Sequence, residues 1–254
     1  MLKIEKFVTA SPEQWEIIIE GMRNPLNSWR KMDSGVIGVD GDCYLFNGDI
    51  GPYYEDDAGF FLGDNDHDLM ARLDNAGTEH RKFMRMIPVW VTLTAPLYLW
   101  KELDTYKIGT TRNSCSTMHK IQEKEFTLDD FSCEHLIKDC VGNNKDSIWY
   151  KDPPENSPIK CQLMFTPLDA LRITIGVLNT NREAYLKTND KKYWWQMIQL
   201  LPSSYNQKAT LFLNYEVLSN IYHQRKNHKL DEWHTFCDWI RELPYSELIT
   251  REFE

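Results

Sequence analysis

Ala95-Pro96-Leu97-Tyr98-Leu99-Trp100-Lys101-Glu102-Leu103-Asp104-Thr105-Tyr106-Lys107-Ile108-Gly109-Thr110-Thr111-Arg112-Asn113-Ser114-Cys115-Ser116-Thr117-Met118-His119 is the stretch on which the reading of this chain turns. Thr94-Ala95-Pro96 reads as a helix start, because a proline in the first turn gives up no helical hydrogen bond. That helix is expected to carry Leu97, Trp100, Lys101, Leu103, Tyr106 and Lys107. Directly after it, Lys107, Thr110, Thr111, Arg112, Asn113, Ser114, Ser116 and Thr117 form a run of donors. Such a run either wraps an anionic ligand with hydroxyl and backbone groups or is an ordinary Ser/Thr-rich turn.

On the N-terminal side, Phe83 to Leu93 has the β-branched and aromatic character of a strand, and Pro88 predicts an edge or a bulge. Gly35 to Gly63, rich in Gly, Asp and Tyr, predicts short strands and turns. Ser11-Pro12-Glu13-Gln14 predicts a capped helix with Trp15, Ile18, Ile19 and Met22 on its apolar face. On the C-terminal side, Asp139 to Pro158 is the clearest loop, a lid or a subdomain connection. Helices are expected from Thr166-Pro167 to Leu178, around Tyr193 to Leu200, and around Trp233, Phe236, Cys237 and Ile240. Another is expected from Lys208 to Arg225, where Leu211, Leu218, Ile221 and Tyr222 recur at helical spacing. Asn214, Leu218, Ile221 and Arg225 then share one face, whose polar ends are either frayed surface or ligand contacts.

The 254 residues make one large domain or two small ones and bury enough core to need neither disulfide nor structural metal. A net charge of −9 argues against affinity for long nucleic acid across the whole surface, while leaving room for a local basic pocket. The absence of a secretory signal predicts a cytoplasmic chain with its six cysteines reduced, and no stretch is apolar enough to predict a membrane span.

Several chemistries fail on spacing. Asp64-Asn65-Asp66-His67-Asp68 starts like a calcium loop but places Leu69 at the sixth position and Asn75 at the twelfth, so an acidic turn is expected. Cys133, His135 and Cys140 lack zinc-site spacing, and His223, His228 and His234 do not share a helix face, so no metal is expected. Neither common phosphate-binding glycine loop nor a Gly-x-Ser-x-Gly elbow occurs.

Three segments resemble the flavin-dependent thymidylate synthases. That family shows a Glu-His pair before a strand, an Ala-Pro-started helix ending Arg-His-Arg, and then x-x-Ser-x-Asn-x-x-Ser-x-Arg-Tyr. Here Glu79-His80 stands before the strand, Ala95-Pro96 opens the helix, and Lys107, Thr110, Asn113 and Ser116 follow with one inserted residue near Thr111-Arg112. In the C-terminal part Leu201-Pro202, Lys208, Asn214, Leu218, Asn220 and Arg225 fall at the family's distances without a gap.

The resemblance implies an α+β fold with a mixed or antiparallel sheet and a long C-terminal helical region. It also implies a single domain over residues 1–254, with a loop or lid insertion near 139–158. FAD is the implied cofactor, met by His80, Lys107, Thr110, Asn113, Asn214 and Asn220. A dUMP-type pyrimidine nucleotide is the implied substrate, met by Arg112, Ser116, Lys208 and Arg225, with Ser116 and Arg225 orienting it for catalysis. NADPH and methylene-tetrahydrofolate are the implied reductant and one-carbon donor, and a homotetramer the implied assembly.

The chain departs from the pattern at Thr105 and Tyr106, where Arg and His are expected. Met118 stands where a nucleotide-holding Arg is expected, and Glu216 where the family is basic. Each lost charged partner removes roughly 1.5–3 kcal/mol per hydrogen bond. The expectation is therefore a flavin- and nucleotide-binding relative that transfers a one-carbon unit to the base, or a catalytically inactive relative that is a nucleotide-binding or structural oligomer. A third reading, an acidic interaction protein, rests on the −9 charge and nine Trp, most of which fit helical core faces.

Overall fold

Local sequence sets the first helix. The Ser11 side chain accepts from Gln14 N while the Gln14 side chain accepts from Ser11 N, and Pro12 follows the cap. Two otherwise orphan N–H groups are thereby satisfied. Trp15, Ile18, Ile19 and Met22 are buried, as their spacing predicts.

The computed structural model describes residues 1–52, 59–138 and 166–252; the loop expected at 139–158 lies outside them. The elements in chain order are β1 (Lys3–Val8), α1 (Pro12–Arg23), β2 (Gly35–Ile37), β3 (Cys43–Leu45), β4 (Gly59–Phe61) and α2 (Asp64–Asn75). There follow β5 (Pro88–Pro96), α3 (Leu97–Leu103), β6 (Thr111–Ser114), α4 (Pro167–Thr188) and α5 (Lys191–Leu200). Finally come β7 (Asn206–Asn214), α6 (Tyr215–Arg225), α7 (Asp231–Arg241) and α8 (Glu247–Thr250). This is a mixed α and β architecture with antiparallel pairing. No helix among the described residues is long and apolar enough to cross a membrane.

The chain divides into two compact units. The larger comprises Leu2–Thr94, Lys101–Asn113 and Lys208–Glu254. Its main sheet has the order β1-β5-β7-β6. β1 runs antiparallel to β5, Lys3 opposite Thr94 and Val8 opposite Trp90, with a bulge between Ile4 and Lys6. Rings of Trp90 and Phe212 lie 5.2 Å apart and the Thr92 and Thr210 hydroxyls 2.9 Å apart, so β7 runs opposite to β5. One face of the sheet is core, built from Val89, Val91, Leu93, Ala209, Leu211 and Leu213. α6 packs against α7 and α8. A second sheet of order β3-β2-β4 realises the turn-rich Gly35 to Gly63 stretch, and the Phe60 ring stacks on Trp15 at 5.0 Å.

The smaller unit comprises Met1, Ala95–Trp100 and Ser114–Gln207. Thr166 and Asp169 cap α4 reciprocally, Asn189 ends it at φ 54°, and the Asp190 side chain caps α5. The two helices form a hairpin over Ile121, Phe126, Phe131, Leu171, Leu178 and Met197. The Asn179 side chain holds both backbone groups of Phe126, at 2.9 Å each.

Three expectations are corrected. Residues 208–214 are strand, not helix: Ala209, Leu211 and Leu213 are buried while Lys208 and Thr210 are exposed, a period of two. The seven-residue step from Leu211 to Leu218 fits two helical turns only if the positions between are ignored. Next, Lys82–Arg85 is a 3-10 turn and the strand starts at Pro88, where a missing N–H interrupts no ladder, so β5 is central rather than an edge. Ala95 and Pro96 end that strand; the helix runs only from Leu97 to Leu103 and leaves Tyr106 and Lys107 in the turn beyond it.

Candidate functional site

The turn after α3 makes the site, in the larger unit. Gly109 takes φ 78°, a left-handed conformation natural to glycine. A Cβ there would stand 2.9 Å from Asn214 Nδ2 and 3.1 Å from Val217 Cγ2, so the turn lies directly on the start of α6. Asn214 is the cap of that helix, its Oδ1 accepting from Val217 N at 3.0 Å. Beneath the turn is a cleft of about 150 Å³. Asp104, Lys107, Thr110 and Arg112 supply its polar wall; Leu211, Leu213 and Ile221 supply apolar surface.

Within the cleft, Arg112 Nη2 lies 3.1 Å from Asp104 Oδ2. The Thr110 Oγ1 is buried yet has no hydrogen-bond partner among the described residues. Tyr106, also lining the cleft, donates from its hydroxyl to Gln224 Oε1 at 2.9 Å and accepts from Arg225 Nε at 3.0 Å. The Arg225 guanidinium stacks 4.9 Å from the Trp233 ring centre and pairs with Glu102 at 3.2 Å, while Trp233 Nε1 donates to Glu102 at 2.7 Å.

Other cations of the unit are matched in the same way. Lys208 pairs with Glu5, whose carboxyl is held below its usual range by the Lys208 and Thr94 hydrogen bonds. Buried Arg81 lies between Glu216, 2.9 Å from its Nε, and Asp74, 3.5 Å from its Nη1. Burial pushes the Asp74 carboxyl up, more than nearby Arg81 pulls it down. Lys107 has no ion pair among the described residues.

No known protein-family profile matches the chain, and no curated protein does. Solved structures do. The flavin-dependent thymidylate synthase ThyX from Helicobacter pylori, complexed with FAD and dUMP, matches with TM-score 0.55 and 14% identity, over 99% of this chain and 97% of that one. The fold resembles that of the flavin-dependent thymidylate synthases. The UMP/dUMP methylase PolB from Streptomyces cacaoi, bound with 5-Br dUMP, matches with TM-score 0.53 and 12% identity, over 98% and 94% of the two chains. At these identities the likeness is one of fold.

Set on this thymidylate-synthase-like fold, the residues singled out from sequence divide into two groups. Lys107, Thr110 and Arg112 meet at the cleft, Asn214 stands behind the Gly109 turn, and Arg225 reaches the cleft wall through Tyr106. His80, Asn113, Lys208 and Asn220 are exposed and line no part of it. Ser116 belongs to the smaller unit, where its hydroxyl accepts from Met118 N at 3.2 Å and His119 N at 2.9 Å.

Asp104 and Glu102 were missed, since a carboxylate beside a helix end carries no spacing signal, and Arg81 because its partner Glu216 lies 135 residues away in the chain. The Asp64–Asp68 segment is not an acidic turn but the start of α2. Its buried Asp66 pairs with Arg23 and accepts from Ser34 N at 2.9 Å and Ser34 Oγ at 2.7 Å, a structural role.

The implied FAD does not fit this cleft. Its 150 Å³ falls below the roughly 300–1,000 Å³ of pockets that enclose whole ligands. Arg112, which lines it, and Arg225, which reaches its wall through Tyr106, already face carboxylates.

Proposed function

We propose that the chain is a pyrimidine-nucleotide-binding protein of flavin-dependent thymidylate synthase type, acting as one domain over residues 1–254 in a homo-oligomer, with a dUMP-class ligand entering the cleft under the Lys107 to Thr110 turn. What carries this reading is the convergence of Lys107, Thr110 and Arg112 on one cleft in which the Thr110 hydroxyl is buried with no hydrogen-bond partner among the described residues. An unmet buried hydroxyl costs about 1–3 kcal/mol, which a ligand's polar edge recovers. The apolar wall of Leu211, Leu213 and Ile221 suits the faces of a ring, and Lys107 offers a cation to a phosphate. Arg225 acts through Tyr106 as a positioning residue.

The test is thermal stabilisation of the purified protein by dUMP, UMP and a purine nucleotide. At a hundred times Kd a specific ligand stabilises by about 2.7 kcal/mol. Stabilisation by the pyrimidine nucleotides alone is expected; a shift with none of them refutes the reading.

A second reading, FAD-dependent one-carbon transfer to the base, is favoured by the FAD-bound neighbour that spans 99% of this chain. It needs a flavin surface outside the cleft, supplied in a homotetramer by other copies. A flavin absorption band in the purified protein, or uptake of added FAD, would support it; colourless protein that takes up no FAD excludes it.

A further inference from the structure

We propose that Asp104 reads the edge of the base, selecting a pyrimidine whose N3 carries a hydrogen over one whose N3 is a lone pair; this rests on the pyrimidine reading above. The cleft holds about 150 Å³, close to five waters' share of liquid volume, which suits a single six-membered ring rather than a whole nucleotide. Its polar wall has one group that can only accept. An ionised carboxylate only accepts, an ammonium and a guanidinium only donate, and a hydroxyl does either. Asp104 is that acceptor, 3.1 Å from Arg112, with Lys107 and the unpartnered Thr110 hydroxyl on the same cleft.

The edge of uracil runs O4, N3–H, O2: acceptor, donor, acceptor. It complements a carboxylate flanked by donors. Cytosine presents an amino group, a bare N3 and O2, so its N3 lone pair would face the Asp104 carboxylate. That exchanges a charge-assisted hydrogen bond for repulsion between two acceptors. Charge agrees: Asp104 offsets Arg112, leaving Lys107 as the only net positive charge of the four polar wall residues, which favours a neutral ring over a dianionic phosphate in the depth of the cleft. The Asp104 side chain is 46% exposed, so replacing it leaves the fold intact.

Isothermal titration of the full chain with dUMP and dCMP tests this, in wild type and in Asp104→Asn, whose carboxamide can donate to or accept from N3. Wild type is expected to bind dUMP about ten to a hundred times more tightly than dCMP. In Asp104→Asn that preference should shrink to within about threefold. The ratio is the readout, because freeing Arg112 alters the affinity of both nucleotides together. Equal binding of the two by wild type, or an undiminished preference in Asp104→Asn, overturns the role of Asp104 and leaves the pyrimidine reading standing. Binding of neither nucleotide overturns both.

Discussion

Replacing Gly109 by alanine tests how the site is built. The backbone there has φ 78°, which costs an L-residue about 1 kcal/mol. The added Cβ would also sit 2.9 Å from Asn214 Nδ2 and 3.1 Å from Val217 Cγ2. The Asn214 amide is the far end of a side chain, but its other end is fixed by the 3.0 Å bond that caps α6. Displacing it forfeits a cap worth about 1 kcal/mol. The sum is about 2 kcal/mol, or a fall of about 4–8 °C in Tm for a chain of this size. Chemical denaturation reads the first figure and calorimetry the second. Nucleotide affinity should fall as well, because the turn carrying Lys107 and Thr110 rests on that helix start. A loss of under about 0.5 kcal/mol with unchanged affinity would mean that the turn and the cap are not coupled, and that the start of α6 does not hold the cleft's polar wall in place.

Thr110→Val removes the unpartnered hydroxyl at nearly constant volume; stability without ligand should hold or rise slightly, while dUMP affinity falls about tenfold by titration. Asp66→Ala strips the carboxylate from buried Arg23, and urea unfolding should show a loss of about 3–5 kcal/mol. Asp74→Asn should change the pH dependence of stability. Burial raises the folded-state pKa of Asp74 above its ordinary 3.8, so the folded chain holds this proton more tightly. The contribution of this group is therefore fully present below about pH 4 and is lost as pH rises through the raised value. The stability of Asp74→Asn relative to wild type should climb with pH across that window; urea unfolding of both proteins at several pH values measures it, and a flat or falling difference contradicts the assignment.

What the sequence made legible was local chemistry. The Ser11 cap carries its signal in four consecutive residues and stands as read, and the helix start read at Thr166-Pro167 proves to be capped in the same way. Where competing periods overlap, the reading failed: Leu211 fits the helical spacing of Leu218 and Ile221 but belongs to the alternation of β7. The turn at Lys107 and Thr110 was legible as a donor run, because donors cluster in sequence there. Its electrostatics were not. Asp104 answers Arg112 from the end of α3, Glu5 answers Lys208 from β1, and Glu102 answers Arg225 from across the unit. Each pairing joins residues that tertiary structure alone brings within 4 Å. The same holds for Glu216, which looks like a lost cation in sequence and proves to be the partner of Arg81.

The cleft's claim to be a base pocket is tested most directly by locating a bound nucleotide. 5-Bromo-dUMP carries a heavy atom on its ring, and its anomalous signal in crystals of the complex fixes where the base lies. A bromine peak is expected in the cleft, within contact distance of the Leu211, Leu213 and Ile221 wall, with the ring edge against Asp104 and Thr110. A peak elsewhere on the chain, or a base facing solvent with only its phosphate near Lys107, would contradict the assignment of the cleft to the base.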